Sequence, residues 1–106
     1  MEAALKALAE PRRRRILELV RDRERSAGEI AAHFDVSRPA ISQHLAVLKE
    51  AGLVEERRDG PRRLYVVRPE GFSAVRGFVE SFWDEGLVRL KSAAEAEERS
   101  RRGRSR

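Results

Sequence analysis

The stretch that most restricts how this chain can fold is "SAGEIAAHFDVSRPAISQHLAVLKEAGLV", residues 26 to 54. Ser26, followed three residues later by Glu29, has the pattern of a capping box and predicts the start of a short helix. Ser37 caps a second, longer helix, in which the early Pro39 is tolerated because first-turn amides have no intrahelical acceptor. Gly52 is placed to end that helix as a left-handed C-cap. Two capped helices joined by a short turn predict a helix-turn-helix.

The segments on either side of this motif complete a recognisable order of elements. Apolar spacing predicts a short first helix within residues 1 to 10, a second helix over 11 to 23 and a long last helix over 72 to 98. Two strands are expected at 53 to 58 and 63 to 68, because they are rich in Val, Leu and Tyr and are separated by Asp59, Gly60 and Pro61. A hairpin directly after the second helix of the motif is a wing. The predicted fold class is therefore mainly α with a small β-hairpin, a winged helix-turn-helix.

Length and charge set the domain organisation. A chain of 106 residues is long enough for one modest core, and we expect one domain over residues 1 to 98. The final eight residues, "RSRRGRSR", contain five arginines and no acid, which predicts a disordered basic tail over 99 to 106. Without that tail the chain has 18 basic and 18 acidic residues, so the net charge of +5 comes from the tail alone. Any basic surface on the domain must arise from an uneven distribution of charge.

The absence of certain residue patterns removes several classes of protein. There is no cysteine, which excludes disulfides, thiolate metal ligands and thiol redox chemistry. No apolar run reaches the length of a signal peptide or a membrane span, so we expect a soluble, cytoplasmic protein with no membrane partner. No nucleophile with a neighbouring base, metal triad or glycine-rich phosphate loop is present, and we predict that the chain is not an enzyme and needs no cofactor.

The second helix of the motif has one apolar face and one face suited to DNA. Ile41, Leu45 and Leu48 fall within about 60° of one another on a helical wheel and are expected to face the core. Small residues on the outer side allow a close approach to a major groove, where polar side chains read base edges. The candidate contacts on this helix are Ser37, Arg38, Ser42, Gln43, His44 and Lys49. A solvated polar helix face is the plainer alternative for one helix considered alone.

The wing strengthens the DNA-binding interpretation. Four arginines surround the tip of the predicted hairpin, where guanidinium groups can bind phosphates: Arg57, Arg58, Arg62 and Arg63. Together with the capped helix pair, they predict double-stranded DNA as the partner. Two alternatives stay open, namely an architectural protein that binds DNA without sequence preference and a winged-helix module that binds another protein.

The last helix has an apolar stripe wider than one small domain needs to cover. It includes Phe78, Phe82, Trp83, Leu87 and Leu90 at spacings of three and four residues. A two-fold related copy of the chain would cover the excess, which predicts a homodimer. The alternative is that Phe72, Phe78, Phe82 and Trp83 line an apolar pocket for a small-molecule effector. The sequence identifies no such effector.

Three segments carry a resemblance to a known family: "LKALAEPRRRRILELV", the motif through "RRLYVV", and the last helix with its Trp. From about Leu5 to Leu90 the chain resembles the ArsR/SmtB group of bacterial winged-helix transcriptional repressors. The resemblance implies a homodimer on an inverted-repeat operator, with the first helix (Leu5, Leu8) and the last helix forming the interface. It also implies recognition-helix roles for Ser37, Arg38, Ser42, Gln43 and His44, and wing roles for the four arginines.

The chain departs from the metal-sensing members of that group. Those members carry a cysteine pair on the helix matching 26 to 34, or Asp and His ligands on the last helix. This chain has Ser26, Glu29 and His33 in the first region and only carboxylates, such as Asp84 and Glu85, in the second. Tight binding of borderline metals needs imidazole or thiolate ligands at defined spacing. We therefore expect no metal site.

Two further features have plain structural interpretations. His33 lies at the end of a short helix, where a histidine helps to satisfy terminal carbonyls, and a ligand role is the less favoured alternative. The run Arg12 to Arg15 is interpreted as a solvated helix face, with phosphate contact as the alternative. His44 flanks the core side of its helix, which favours packing or phosphate contact over base reading.

Overall fold

The computed structural model describes the backbone of residues 1–104 and their side chains except those of residues 84, 85, 87, 88 and 102–104. Contacts divide the chain into two units, Met1–Val75 and Arg76–Arg106. This division differs from the single domain expected over residues 1 to 98. The first unit holds the helix-turn-helix and the wing, and the second consists of most of the last helix.

The order of elements is that of a winged helix-turn-helix. The helices are α1 (Glu2–Leu8), α2 (Pro11–Leu19), α3 (Ala27–Ala31), α4 (Arg38–Glu50) and α5 (Ser73–Arg104). The strands are β1 (Arg25–Ser26), β2 (Val54–Asp59) and β3 (Arg62–Val67), and a 3₁₀ helix, Pro69–Phe72, precedes α5. The predicted fold class is confirmed, and the 3₁₀ helix is an addition to it.

The predicted starts of α3 and α4 and the predicted end of α4 are confirmed. Ser26 Oγ accepts from the Glu29 amide at 3.1 Å, and Glu29 Oε1 accepts from the Ser26 amide at 3.2 Å, which completes the capping box of α3. Ser37 Oγ accepts from the Ala40 amide at 3.3 Å at the start of α4. Gly52, with φ of 76°, follows α4 in the left-handed region that favours glycine. These local signals fix where α3 and α4 begin and where α4 ends.

The sheet has three strands rather than the two of the predicted hairpin. The strand order is β1-β3-β2, and β1 pairs antiparallel with β3 through Arg25 opposite Tyr65 and Ser26 opposite Leu64. Helix α2 correspondingly ends at Leu19 instead of residue 23. The Arg25 guanidinium donates to the Leu19 carbonyl at 2.7 Å, and the Val67 amide donates to the Val20 carbonyl at 3.0 Å. These tertiary bonds supply donors for the last carbonyls of α2, so the helix ends there and residues 21 to 24 form a loop.

One apolar core holds the Met1–Val75 unit together. Side chains from α2, α3 and α4, and from the residues directly after α2 and directly before β2, are almost completely excluded from solvent: Ile16, Val20, Ile30, Ile41, Leu45, Leu48 and Leu53. The predicted inward face of α4 is confirmed, since Ile41, Leu45 and Leu48 all belong to this set. Burial of each such side chain contributes on the order of 1.5–3 kcal/mol. The outer face of α4 is therefore held at the surface by the packing of its inner face.

Helix α5 is longer than predicted. Residues 99 to 104 continue the helix to Arg104, where a disordered tail was expected, and residues 105 and 106 lie outside the described residues. The Arg101 guanidinium donates to Glu97 Oε1 at 3.0 Å, an i,i+4 pair. Such a pair favours helix over coil.

Candidate nucleic-acid interface

The outer face of α4 presents the polar side chains that the sequence assigned to base reading. Arg38, Ser42 and Gln43 are all exposed, because Ile41, Leu45 and Leu48 occupy the opposite side of the helix. Ser37 is also exposed, and its hydroxyl serves as the N-cap of the helix. Lys49 lies in the last turn of α4, near the wing.

The recognition helix and the wing line the same open groove. The groove has a volume of about 610 Å³ and is bounded by the start of α3, the outer side of α4 and the hairpin. Its charged and hydrogen-bonding lining residues are Ser26, Arg38, Ser42, Lys49, Glu56, Arg62, Arg63 and Tyr65. The fold thus brings Arg38 and Ser42 of the helix to the same concave surface as two wing arginines. This surface is called the reading groove below.

Acidic residues hold several of the cations at this groove. Glu56 Oε2 accepts from Lys49 Nζ at 2.6 Å, and its Oε1 lies 3.3 Å from Arg63 Nε. Arg62 donates to Asp59 Oδ2 at 3.0 Å and lies 3.8 Å from Glu29 Oε1. The hydrogen bond from Lys49 lowers the pKa of the Glu56 carboxyl below its ordinary value. The positive charge of the groove is therefore partly compensated by its own carboxylates.

The remaining two wing arginines occupy different faces of β2. Arg57 donates to both carboxylate oxygens of Glu24, from Nε at 2.9 Å and from Nη2 at 3.0 Å. Side chains alternate along a strand, so Arg57 projects from the face opposite that of Glu56, while Arg58 shares the Glu56 face. The bond from Arg57 lowers the pKa of Glu24. Arg57 thus ties the wing to the loop after α2, and the structure does not place it among the residues of the reading groove.

His44 lies on the side of α4 that faces Arg13. Its Nδ1 is 3.4 Å from Arg13 Nη1, and it is half-buried. His44 is not among the residues that line the reading groove. The packing or phosphate role that the sequence favoured for His44 stays a prediction. His33 is exposed at the end of α3.

Sequence reasoning missed a structural role for the arginine run at the start of α2. Arg13 donates from Nε to the Ala7 carbonyl at 2.7 Å and from Nη2 to the Lys6 carbonyl at 3.0 Å. Arg14 donates to the Leu8 carbonyl at 2.6 Å. These two side chains donate to the last three carbonyls of α1, of which that of Lys6 also accepts from the Ala9 amide at 3.3 Å. Arginines five and six residues after the last residue of a short helix were the signal available for this role.

The residues predicted to form a dimer interface have different environments. On α5 the apolar side chains Phe78, Phe82, Trp83 and Leu90 are 46%, 57%, 67% and 69% exposed, and Val79 joins them at 56%. Phe78 and Phe82 pack edge to face with ring centroids 4.9 Å apart. The side chain of Leu87 lies outside the described residues. On α1, Leu5 is exposed, whereas Leu8 packs partly against the core of its own unit.

The apolar side chains of α5 border only a shallow depression, and the described acidic and histidine side chains form no cluster suited to a metal ion. On α5, Phe82, Trp83, Gly86 and Leu90 border a surface depression of about 170 Å³. That volume is below the roughly 300 Å³ at which small-molecule pockets usually begin. Phe72 packs against the core of the Met1–Val75 unit. Among the described side chains, which exclude those of Asp84 and Glu85, no three His, Asp or Glu groups lie close enough to hold a metal ion.

Comparison with known proteins identifies the family. Residues 10–56 match the family described as bacterial regulatory protein, arsR family. The HTH-type transcriptional regulator Rv2034 of Mycobacterium tuberculosis is 44% identical over 87 residues, which cover 82% of this chain and 81% of that protein. The chain belongs to the ArsR family. The family is one of transcriptional regulators rather than enzymes.

Two further ArsR-family comparisons bear on fold and role. The transcriptional repressor SdpR of Bacillus subtilis is 43% identical over 60 residues, covering 57% of this chain and 67% of that protein. The homodimeric winged helix-turn-helix DNA-binding domain of Mb0332 from Mycobacterium bovis aligns with a TM-score of 0.63 and 36% identity, over 81% of this chain and 80% of that one. The winged helix-turn-helix fold of this ArsR-family chain is thereby confirmed.

Among the described residues, no helix combines the length and the apolar character that a membrane span requires.

Proposed function

We propose that this ArsR-family regulator is a cytoplasmic homodimer that binds an inverted-repeat operator and represses transcription by excluding RNA polymerase from the promoter. The observation that carries the proposal is the reading groove, which joins Arg38 and Ser42 of α4 to Arg62 and Arg63 of the wing. With this arrangement, α4 can enter the major groove as a recognition helix while the wing contacts the adjacent phosphates. The repressor SdpR and the homodimeric Mb0332 domain support the direction of regulation and the dimer.

In this proposal the residues of α4 and those of the wing have separate tasks. Arg38, Ser42 and Gln43 contact base edges, since they are exposed on the outer side of α4 beside small residues. The wing arginines Arg58, Arg62 and Arg63 contact phosphates and carry no sequence information. Two copies of the chain place two recognition helices about one helical turn of DNA apart, which requires a palindromic site.

The experiment that tests the proposal is selection of duplexes from a random pool at near-physiological salt, with the mass of the protein measured in the same sample. We expect a dimer to recover a palindrome and to bind it at least 10³-fold more tightly than a scrambled duplex, the lower range for specific regulators. Uniform recovery of all sequences would instead support an architectural DNA-binding protein. No recovery would support a protein-binding module.

Two single substitutions separate base reading from phosphate contact. Arg38→Ala is expected to reduce discrimination between the selected and scrambled duplexes by about 5- to 150-fold, the value of one good base contact of about 1–3 kcal/mol. Arg58→Ala, the matched control on the wing, should weaken binding to both duplexes by a similar factor, because the described side chains form no ion pair with Arg58. Both are measured by titration of labelled duplex. Intact sequence preference in Arg38→Ala would show that the reading face is assigned to the wrong residues.

A further inference from the structure

One carboxylate lies within the surface that is proposed to meet DNA. The side chain of Glu56 is only 15% exposed and belongs to the lining of the reading groove. Its two oxygens hold two cations from different elements, Lys49 of α4 at 2.6 Å and Arg63 of β3 at 3.3 Å. A negative charge here is unexpected for an interface whose other partner is polyanionic.

The ion pairs alter what Lys49 and Arg63 can do. Long basic side chains that are free at a protein surface bind any phosphate within reach, and this sequence-independent term supplies essentially all nonspecific affinity for DNA. Here both cations are bonded to Glu56, and its ionised carboxylate also repels phosphate. To bind the phosphates of a random duplex, Lys49 and Arg63 would have to leave Glu56. No base contacts would then offset the free energy of the lost ion pairs.

Correct docking changes this balance. When Arg38, Ser42 and Gln43 reach matching base edges, the groove closes on the duplex and the phosphates approach Lys49 and Arg63 in a fixed position. The cost of loosening the ion pairs is then offset by contacts that only the matching sequence provides. Specificity is a difference between two affinities, and it increases when the affinity for wrong partners is lowered.

We propose that Glu56 is a specificity-determining residue, which restrains Lys49 and Arg63 and thereby suppresses binding to nonspecific DNA. This inference rests on the proposed function, because it assumes that the reading groove binds duplex DNA. Glu56 is a positioning residue in this scheme, since it acts through the two cations and contacts no base. Its removal should strengthen binding to the wrong sequences more than binding to the operator.

The chain offers a closely matched control in Glu55, the neighbouring residue. Glu55 projects from the other face of β2, is 59% exposed and pairs only loosely with Arg68, at 3.8 Å. Glu55→Gln changes the net charge by the same amount as Glu56→Gln and leaves the reading groove untouched. The difference between the two variants therefore isolates the position of the charge from its magnitude.

The experiment measures the affinity of the full chain for a scrambled duplex of about 30 base pairs across a range of salt concentrations. For Glu56→Gln we expect about tenfold tighter binding to this duplex and a salt slope steeper by about one, as for one additional phosphate contact. Glu55→Gln should change the affinity less than threefold, on the scale of a distant surface charge. On the duplex selected by the wild type, Glu56→Gln should gain less, so the ratio of the two affinities falls.

A second comparison applies if Glu56→Gln fails to fold, which circular dichroism would reveal. Lys49→Gln is expected to lose less than twofold affinity for the scrambled duplex, because Glu56 already withholds that cation. Arg58→Gln should lose about tenfold, since the described side chains form no ion pair with Arg58, on which Glu56 acts only through a longer-range charge interaction, and one phosphate contact is removed. Equal losses in the two variants would overturn the proposal.

The remaining outcomes separate the inference from the proposed function. Equal effects of Glu56→Gln and Glu55→Gln, in a wild type that selects an operator, overturn the inference alone. Weaker binding of Glu56→Gln to both duplexes, with an unchanged salt slope, also overturns it, because the carboxylate would then only support the fold. A wild type that shows no sequence preference, or binds no duplex, overturns the proposed function and the inference together.

Discussion

At the scale of single residues, arginine has three separate roles in this chain. Arg38 is exposed on the outer face of α4, where it is available to a ligand. Arg57 is bonded to Glu24 through both oxygens of that carboxylate and connects the wing to the loop after α2. Arg13 donates to the last carbonyls of α1. The forked guanidinium suits all three tasks, so residue type alone does not distinguish them.

The role of Arg13 gives a prediction for stability. Arg13→Ala should lower the free energy of unfolding by about 1–2 kcal/mol, because it removes the charged hydrogen bonds to the Lys6 and Ala7 carbonyls at the end of α1. Arg12→Ala, in the same run and at an exposed position, should change it by less than about 0.5 kcal/mol. Urea denaturation followed by circular dichroism measures both. Equal effects would mean that the run acts only as a solvated face.

At the scale of elements, the 3₁₀ helix packs against the end of α4 at a distance that only glycine allows. A Cβ added to Gly71 would lie 1.9 Å from the Gly52 carbonyl oxygen and 2.7 Å from its carbon. The Arg68 amide also donates to the Leu53 carbonyl at 2.9 Å, which ties the same two segments together. The end of the recognition helix is thus fixed by a backbone-to-backbone contact with the segment that leads into α5.

This contact predicts opposite results for two glycine substitutions. Gly71→Ala should destabilise the chain by about 1–3 kcal/mol, because the methyl group meets backbone that must shift. Gly77→Ala in α5, where an added Cβ meets nothing within 4 Å, should leave stability unchanged or raise it by up to about 1 kcal/mol through helix propensity. Thermal unfolding of the two variants checks the prediction. A neutral Gly71→Ala would show that the two segments do not approach so closely.

At the scale of the whole molecule, the apolar stripe on α5 is exposed to solvent and is the surface that we expect a partner to cover. Phe78, Val79, Phe82 and Trp83 form a contiguous exposed set, and large exposed apolar patches on small proteins usually mark an interaction site. A second copy of the chain presents the same patch, as a two-fold interface requires. The palindrome expected in the operator depends on this assembly.

Dimerisation through the stripe is tested by placing a charge within it. Phe82→Glu should halve the mass in sedimentation experiments and weaken binding to the selected duplex by at least 10²-fold, since two linked half-sites are read far more tightly than one. Ser81→Glu introduces the same charge outside the stripe and should remain dimeric. A dimeric Phe82→Glu variant would exclude this helix face as the interface.

Much of the fold and part of the candidate site were predictable from the sequence. The capping box at Ser26, the cap at Ser37, the glycine after α4 and the inward face of α4 are all confirmed, because each depends on residues within one or two turns of each other. The outward placement of Arg38, Ser42 and Gln43 follows from the same helical period. Strand β1 was missed, since two residues carry no period of their own and are extended only through pairing with β3.

What the sequence determined by itself was therefore the helix-turn-helix, the wing and the exposed face of the recognition helix. Tertiary structure decided which of the basic residues are held by carboxylates. Arg57 and its partner Glu24 are 33 residues apart in the sequence. Ion pairs of this kind depend on where distant segments meet after the core has packed, and no local spacing encodes that meeting. Strand alternation, a local pattern, puts Glu56 and its neighbour Glu55 on opposite faces of β2, but only the packing of α4 beside β2 and β3 places Glu56 inside the reading groove.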